Sequence, residues 1–268
     1  MPPPERPVVA LLTDYGPGSE HVGALHAAVA AGCPGADRID LAHDLPAGDV
    51  RAGALVLRRL APLVPGAVVV AVVDPGVGTG RRAVAVALAG GGALVGPDNG
   101  LLGPAARDLG ARQAVALPPL PEDAPATFHG RDLLAPAAAR LAAGAALGDL
   151  GEAVDPAGLA GPDLPPPEVA PGAVTALAVI VDRFGNLELL AGGDDLARAG
   201  FERGDRISVS TGERRHPATV ARAFADVAPK GMLVHVDSHG MVAVAVNGGS
   251  AAARLGAAPG DRVRLGRW

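Results

Sequence analysis

Three acids in the first half of this chain each close an apolar run and open a turn. They are Asp14 in Leu12-Thr13-Asp14-Tyr15-Gly16, Asp74 in Val73-Asp74-Pro75-Gly76-Val77-Gly78, and Asp98 in Gly96-Pro97-Asp98-Asn99-Gly100. Taken singly, each reads as a turn-former whose carboxylate caps nearby amides. Three at strand ends of one sheet read instead as the rim of a pocket, because open α/β sheets bind ligands beyond the carboxyl ends of their strands. A carboxylate there can accept both hydroxyls of a ribose. Arg81 follows Asp74 across a glycine-rich loop. It either folds back to pair with Asp74, keeping that carboxylate ionised and aimed, or it is a solvated residue at a strand start. Arg82 reads as solvated.

His129 lies in Phe128-His129-Gly130-Arg131-Asp132, just before an expected helix. Gly130 allows a backbone to approach closely, and Asp132 can cap the helix. His43, in Leu41-Ala42-His43-Asp44, also falls at a strand end and is a reserve candidate. His26, His216 and His235 suggest no special chemistry. In the second half, Val181-Asp182-Arg183-Phe184-Gly185-Asn186 reads either as a β-turn with Phe184 in the core or as a site. In a site, Phe184 would be a stacking platform and Asn186 would offer a donor and an acceptor to an adenine edge. The polar loops Asp237-Ser238-His239-Gly240 and Asn247-Gly248-Gly249-Ser250-Ala251 could close a pocket.

Several chemistries fail on the text. No Gly-x-Gly-x-x-Gly follows the first strand, and there is no Walker phosphate loop, His-Glu-x-x-His or Gly-x-Ser-x-Gly. The single Cys33 excludes an intramolecular disulfide and a multi-cysteine metal site, so no metal is expected. A net charge of -5 without a basic cluster argues against nucleic acid. No signal-peptide start or membrane-length apolar run is present, so the expectation is a soluble cytoplasmic protein without membrane partners.

The elements that must position these residues follow from pattern. The chain has 268 residues, 49% hydrophobic and 19% charged, with aromatics at 2%, so its core must come from Ala, Val and Leu. Strands are expected at Val8–Leu12, Arg38–Leu41, Ala67–Val73, Ala83–Ala89, Ala93–Val95 and Ala114–Leu117. Helices are expected from Glu20 to about Ala31 with Ser19 as N-cap, from Asp49 to about Leu63, and from about Leu133 to Ala143. That alternation predicts an α/β fold: a mostly parallel sheet with flanking helices over 1–150. A Pro/Gly-rich linker is expected over 151–172. Short β runs without a long helix then predict a small all-β barrel or sandwich over 173–268.

The ordered set Thr13-Asp14-Tyr15-Gly16, Asp40-Leu41-Ala42-His43, Val73-Asp74-Pro75-Gly76-Val77-Gly78-Thr79, Pro97-Asp98-Asn99-Gly100, Phe128-His129-Gly130-Arg131-Asp132 and Asp182-Arg183-Phe184-Gly185-Asn186 resembles the S-adenosyl-L-methionine (SAM) hydrolases. These are also called SAM hydroxide adenosyltransferases and are related to the fluorinase and chlorinase enzymes. The resemblance runs from about residue 8 to 256. It implies a homotrimer with SAM held between the N-terminal domain of one subunit and the C-terminal domain of the next. It places a catalytic Asp-Arg-His set on Asp74, Arg81 and His129, and a ribose-diol ligand on Asp14. Asp98 and Asn99 belong to the expected substrate site with Phe184. Asp182 and Ser238 match positions near the methionine portion, and Asn186 and Ala251 match adenine contacts. The chain departs from the family at Ser19, His21, Leu189, Leu190 and His239.

The implied reaction gives adenosine and L-methionine, with SAM as substrate and no cofactor. Water attacks C5′, Asp74 positions it and accepts its proton, Arg81 fixes Asp74, and His129 completes the network; whether Asp74 or His129 finally takes the proton is left open. Two rivals are a halide-using, chlorinase-like enzyme, which the carboxylate of Asp74 opposes, and a non-catalytic SAM or adenosine binder.

Overall fold

The computed structural model describes residues 6–121 and 123–268. They fall into two compact units, divided between Asp163 and Leu164. In the first unit the strands are β1 (Val8–Thr13), β2 (Asp37–Ala42), β3 (Val68–Val72), β4 (Ala83–Leu88), β5 (Ala93–Pro97), β6 (Ala111–Ala116) and β7 (Glu152–Val154). They lie in the order β2-β1-β3-β5-β4-β6-β7. β2, β1, β3 and β5 are mutually parallel, β4 runs against both β5 and β6, and β7 runs against β6. Five of the seven strands therefore share one direction, the mostly parallel sheet expected from the sequence.

Helices α1 (Glu20–Gly32), α2 (Val50–Leu60), α3 (Gly103–Asp108) and α4 (Ala135–Ala142) cover the two faces. Side chains alternate along a strand, so the unbroken apolar run of β3 serves both faces. Val68, Val70 and Val72 pack with Val9, Leu11 and residues of α1 and α4, such as Leu25 and Ala138. Val69, Ala71 and Val73 pack on the other side with Leu12, with Leu57 of α2 and with Ala105 of α3. Ser19 caps α1 by accepting from the His21 amide, and Asp49 caps α2 by accepting from Ala52. Both caps hold orphan amides of a first turn.

Two local expectations change. The helix expected from Leu133 begins earlier, as a π-helical turn over Gly130–Leu134 that runs into α4. Asp132 does not cap it, and instead receives two hydrogen bonds from the Arg131 guanidinium, at 2.6 and 2.8 Å.

The second unit contains β8 (Glu168–Ala170), β9 (Ala173–Val181), β10 (Leu187–Gly192), β11 (Arg206–Ser210), β12 (His216–Val220), β13 (Met232–Val236), β14 (Met241–Val246) and β15 (Arg262–Arg267), with short helices α5 (Gly193–Arg198) and α6 (Ala251–Leu255). Pairing of β10 with β9 closes β10-β14-β13-β12-β11-β15-β9 into a seven-strand barrel, and β8 adds to the free part of β9. Closure removes the open sheet edges that would otherwise invite association. Its interior is aliphatic, built on residues such as Leu187, Leu189, Ile207, Val234, Val244 and Leu265. The Pro/Gly-rich stretch 151–172 gives β7 to the first sheet and β8 to the second. Among the described residues, no helix is long and apolar enough to cross a membrane.

Gly96 in β5 lies so close to β3 that an added Cβ would stand 2.5 Å from the Ala71 carbonyl oxygen. Gly96→Ala is expected to destabilise the first unit by about 1–3 kcal/mol, the scale of overpacking a core. A thermal unfolding midpoint equal to that of the parent chain would contradict this close approach.

Candidate active site

After β3 the chain must pass β5 to reach β4. Asp74 to Arg81 makes that passage in two turns. The Val77 amide donates to the Asp74 carbonyl, and the Thr79 amide and hydroxyl both donate to the Gly76 carbonyl. Gly78 has φ +79°, and a Cβ there would lie 3.0 Å from the Ala126 carbonyl oxygen, so only glycine suits the position. These turns bring Arg81 back onto Asp74. Its Nε donates to Oδ1 at 2.7 Å, and its Nη2 donates to Oδ2. The Asp74 side chain is 5% exposed and that of Arg81 11%. Of the two readings of Arg81, the pairing is the one observed. Arg82 is exposed, as expected, and its Nη2 also donates to Asp98 Oδ2 at 2.5 Å.

The same guanidinium meets His129, whose Nδ1 is 3.1 Å from Arg81 Nη2. Arginine can only donate, so Nδ1 is the acceptor and the neutral ring carries its proton on Nε2. Burial, followed by the charge of Arg81, holds the His129 pKa below the ordinary histidine value, and Asp74 and Asp132 oppose this. Near neutral pH the imidazole is uncharged.

Asp74 and His129 line a cavity of about 160 Å³ together with Asp14, Tyr15, Gly48, Thr127 and Gly130. Asp14 stands just beyond the end of β1, and its Oδ2 accepts from the Gly48 amide at 2.8 Å. Tyr15, the chain's only tyrosine, has its phenol pKa raised by burial and then by Asp14 and Asp74, so it stays protonated. A Cβ on Gly130 would sit 2.4 Å from the Tyr15 hydroxyl, so this glycine makes room for the ring. Tyr15, His21 and Phe128 form a cluster of rings with centroids 5.0 to 5.9 Å apart. Tyr15 was not among the sequence candidates, although its uniqueness and its place beside Asp14 signalled it. Arg81 and His129 also line a second, wider cavity of about 410 Å³ under Leu117–Pro121.

Asp98 and Asn99 do not line the smaller cavity, although β5 ends on the same edge. Asp98 is held by Arg82 and by the Ala160 amide, 2.8 Å from its Oδ1. Asn99 donates to the Val73 carbonyl at 2.9 Å and accepts from the Leu101 amide. It therefore secures the backbone immediately before Asp74.

In the second unit, Asp182 and Asn186 close one turn. Asp182 Oδ1 accepts from the amides of Phe184 and Asn186, and Oδ2 accepts from the Asn186 side chain at 2.7 Å. Phe184 is 68% exposed, so it is not a core residue, and the Arg183 guanidinium lies 5.1 Å from its ring centre. This turn packs on the start of α6: a Cβ on Gly185 would overlap Ser250, and the Ala252 amide donates to the Gly185 carbonyl at 3.0 Å. Asp182, Phe184, Asn186 and buried Ala251 thus share one end of the barrel. Ser238 stands in the turn that precedes β14, while Ala251 follows that strand. Leu189, one of the unusual residues after Asn186, is fully buried in the barrel core. Among the described residues, no group of three His, Cys, Asp or Glu is placed to hold a metal ion.

Comparison with known proteins covers both units. Residues 9–151 match the SAM hydroxide adenosyltransferase N-terminal domain, and residues 177–264 match the C-terminal domain. The chain is 51% identical to a protein of Salinispora tropica named (R)-S-adenosyl-L-methionine hydrolase, over 97% of each chain. It is 42% identical to a protein of the same name from Thermus thermophilus, over 97% of this chain and 99% of the other. A crystal structure of an uncharacterised conserved protein from Thermotoga maritima superposes with a TM-score of 0.87 at 32% identity, covering 97% of this chain and 100% of that one.

Arg81→Met removes the charge that faces His129 while leaving Asp74 and Asp132 in place. The imidazole midpoint, followed by NMR of its ring protons, is expected to rise in this variant. A midpoint that stays where it is or falls would contradict the pairing. The same substitution leaves a buried carboxylate unpaired, and chemical denaturation is expected to show a loss of about 3–5 kcal/mol.

Proposed function

The chain belongs to the SAM hydroxide adenosyltransferase family, and we propose that it hydrolyses SAM to adenosine and L-methionine by attack of water on C5′. The observation that carries this reading is that Asp74 and His129, both bound by Arg81, stand on the wall of one cavity with Asp14. The water oxygen forms a bond to C5′ as the C5′–S bond breaks. The bonding pair goes to sulfur, which leaves as the neutral thioether of methionine and needs no acid. What remains is to orient a poor nucleophile and take its proton. Orientation can supply about 7–11 kcal/mol of such a barrier.

Asp74 is the proton acceptor in this proposal. His129 has its Nδ1 lone pair engaged by Arg81 and a proton already on Nε2, so accepting another would break the contact and set two cations side by side. Asp74 is held at both oxygens by one guanidinium, yet each carboxylate oxygen keeps a further lone pair for water. Arg81 neutralises Asp74, and Asp14 adds a second carboxylate to the cavity wall. An acidic wall suits a sulfonium substrate and repels a halide, which favours water as the nucleophile.

Asp14 is assigned to the ribose hydroxyls. Phe184 is assigned to the adenine as a stacking platform; from the family resemblance, Asn186 and Ala251 are assigned to the adenine as well, and Asp182 and Ser238 to the methionine end. These are supplied by a neighbouring copy in a homotrimer. Asp98 and Asn99 are assigned a supporting part, because their polar atoms hold Arg82 and the Val73 carbonyl. The reaction as proposed uses no cofactor and takes place in the cytoplasm.

Purified protein incubated with SAM in isotope-labelled water is expected to yield methionine and adenosine carrying the label on its 5′ oxygen, with the same products when chloride or fluoride is added. Unlabelled adenosine, a 5′-halogenated nucleoside, or binding without turnover would each overturn the reading. Asp74→Asn keeps the shape but not the base, and is expected to lower kcat by about 10²–10⁴-fold. Adenosine affinity should stay close to that of the parent chain, and full activity in the variant would remove Asp74 from its role.

A further inference from the structure

His43 does not line the cavity, yet it grips the turn that does. It is buried at the end of β2, and its Nδ1 is 2.9 Å from the hydroxyl of fully buried Thr13. That hydroxyl accepts the Tyr15 amide at 3.2 Å. The His43 carbonyl accepts the Gly16 amide at 2.7 Å. On the far side of the ring, Nε2 is 2.9 Å from Asp40 Oδ1, at ion-pair distance but without hydrogen-bond alignment. The same oxygen is 2.8 Å from Nε2 of His26 on α1. A carboxylate beside Nε2 favours the proton there, which leaves Nδ1 to accept from the Thr13 hydroxyl. Direction therefore runs one way: the Tyr15 amide donates to Thr13, and Thr13 donates to His43.

We propose that His43 is a positioning residue for the nucleoside end of the site: acting through Thr13, it holds the Asp14–Tyr15 turn in the conformation that aims the Asp14 carboxylate at a ribose. This rests on the ribose reading of Asp14 given above. The Tyr15 ring packs on His21 and Phe128 and the Ser19 amide donates to the Gly16 carbonyl, but little else holds the backbone of the turn. Gly16 and Gly18 both have positive φ and open space around them, and outside this network Asp14 is anchored by the Gly48 amide and by its own amide on the Val72 carbonyl. Each of those anchors fixes one point, whereas His43 joins the residue before Asp14 to the residue two places after it.

The test compares the affinities of adenosine and 2′,3′-dideoxyadenosine by calorimetry. A ratio of affinities reports how Asp14 is aimed, and simple loss of folded protein does not move it. The parent chain is expected to prefer adenosine. His43→Leu and the near-isosteric Thr13→Val are each expected to reduce that preference about tenfold, the scale of one lost buried hydrogen bond. His43→Asn, which can place an acceptor where Nδ1 stands, should keep it within about threefold. Retention of the full preference in both His43→Leu and Thr13→Val would overturn the inference, and Thr13→Val alone decides if His43→Leu does not fold. A parent chain without any preference would instead overturn the ribose assignment. The holding role is then decided by amide hydrogen exchange at Tyr15 and Gly16: faster exchange in Thr13→Val supports it, and unchanged exchange overturns it.

Discussion

The paired contact between Asp74 and Arg81 is the constraint on which the rest of the first unit depends. Both side chains are almost wholly withdrawn from water, and removing two charges from water costs more than a loosely made pair returns. The two-pronged geometry offsets that cost only if both backbones are held still. The surrounding structure does this: successive turns shape the Asp74–Arg81 loop, Gly78 allows it to lie against Ala126, and Asn99 clasps the carbonyl of Val73. Arg82 continues the same logic one residue later by anchoring to Asp98.

That pair also sets the state of its neighbour. Because the guanidinium presents a hydrogen to Nδ1, His129 is fixed in one tautomer, and burial together with the Arg81 charge holds its pKa below the ordinary histidine value. The π-helical turn from Gly130 places His129 beside Arg81, and its first residue is a glycine that leaves space for Tyr15. An irregular helix start and a missing side chain thus share one purpose. The outcome is a small cavity whose charge comes from carboxylates, one neutralised by Arg81 and one at Asp14. Such a wall favours a cationic substrate and a neutral nucleophile.

Much of the architecture was legible in the chain. The all-apolar run of β3 announced a strand covered on both faces, Ser19 and Asp49 marked helix starts, and the short β runs after residue 173 announced the barrel. Other residues took their surroundings from the fold. Asp98 looks identical in kind to Asp14 and Asp74 as text, yet Arg82 and the Ala160 amide occupy it, and the latter comes from a segment read only as a linker. Asp132 looked like a cap because helix starts usually need one, but the helix had already begun at Gly130 and Asp132 faced Arg131 instead. Phe184 could not be placed by composition, because core and exposed platforms use the same residue.

By itself the sequence determined what local chemistry determines: which runs form strands, where glycine must permit a turn, which acids stand at strand ends, and an ordered set of motifs dense enough to identify a family. These follow from interactions between near neighbours, which short stretches of text contain. Only the tertiary structure decided which strand-end acids line the cavity and which are held by other side chains and amides. It likewise decided whether Arg81 points at Asp74 or at water, and that His129 and Tyr15 join them. Those outcomes depend on how α1, the β2 end and the π-helical turn pack over the sheet, which brings together residues dozens of positions apart. Packing of that kind is a sum over the whole core, and no single stretch carries it.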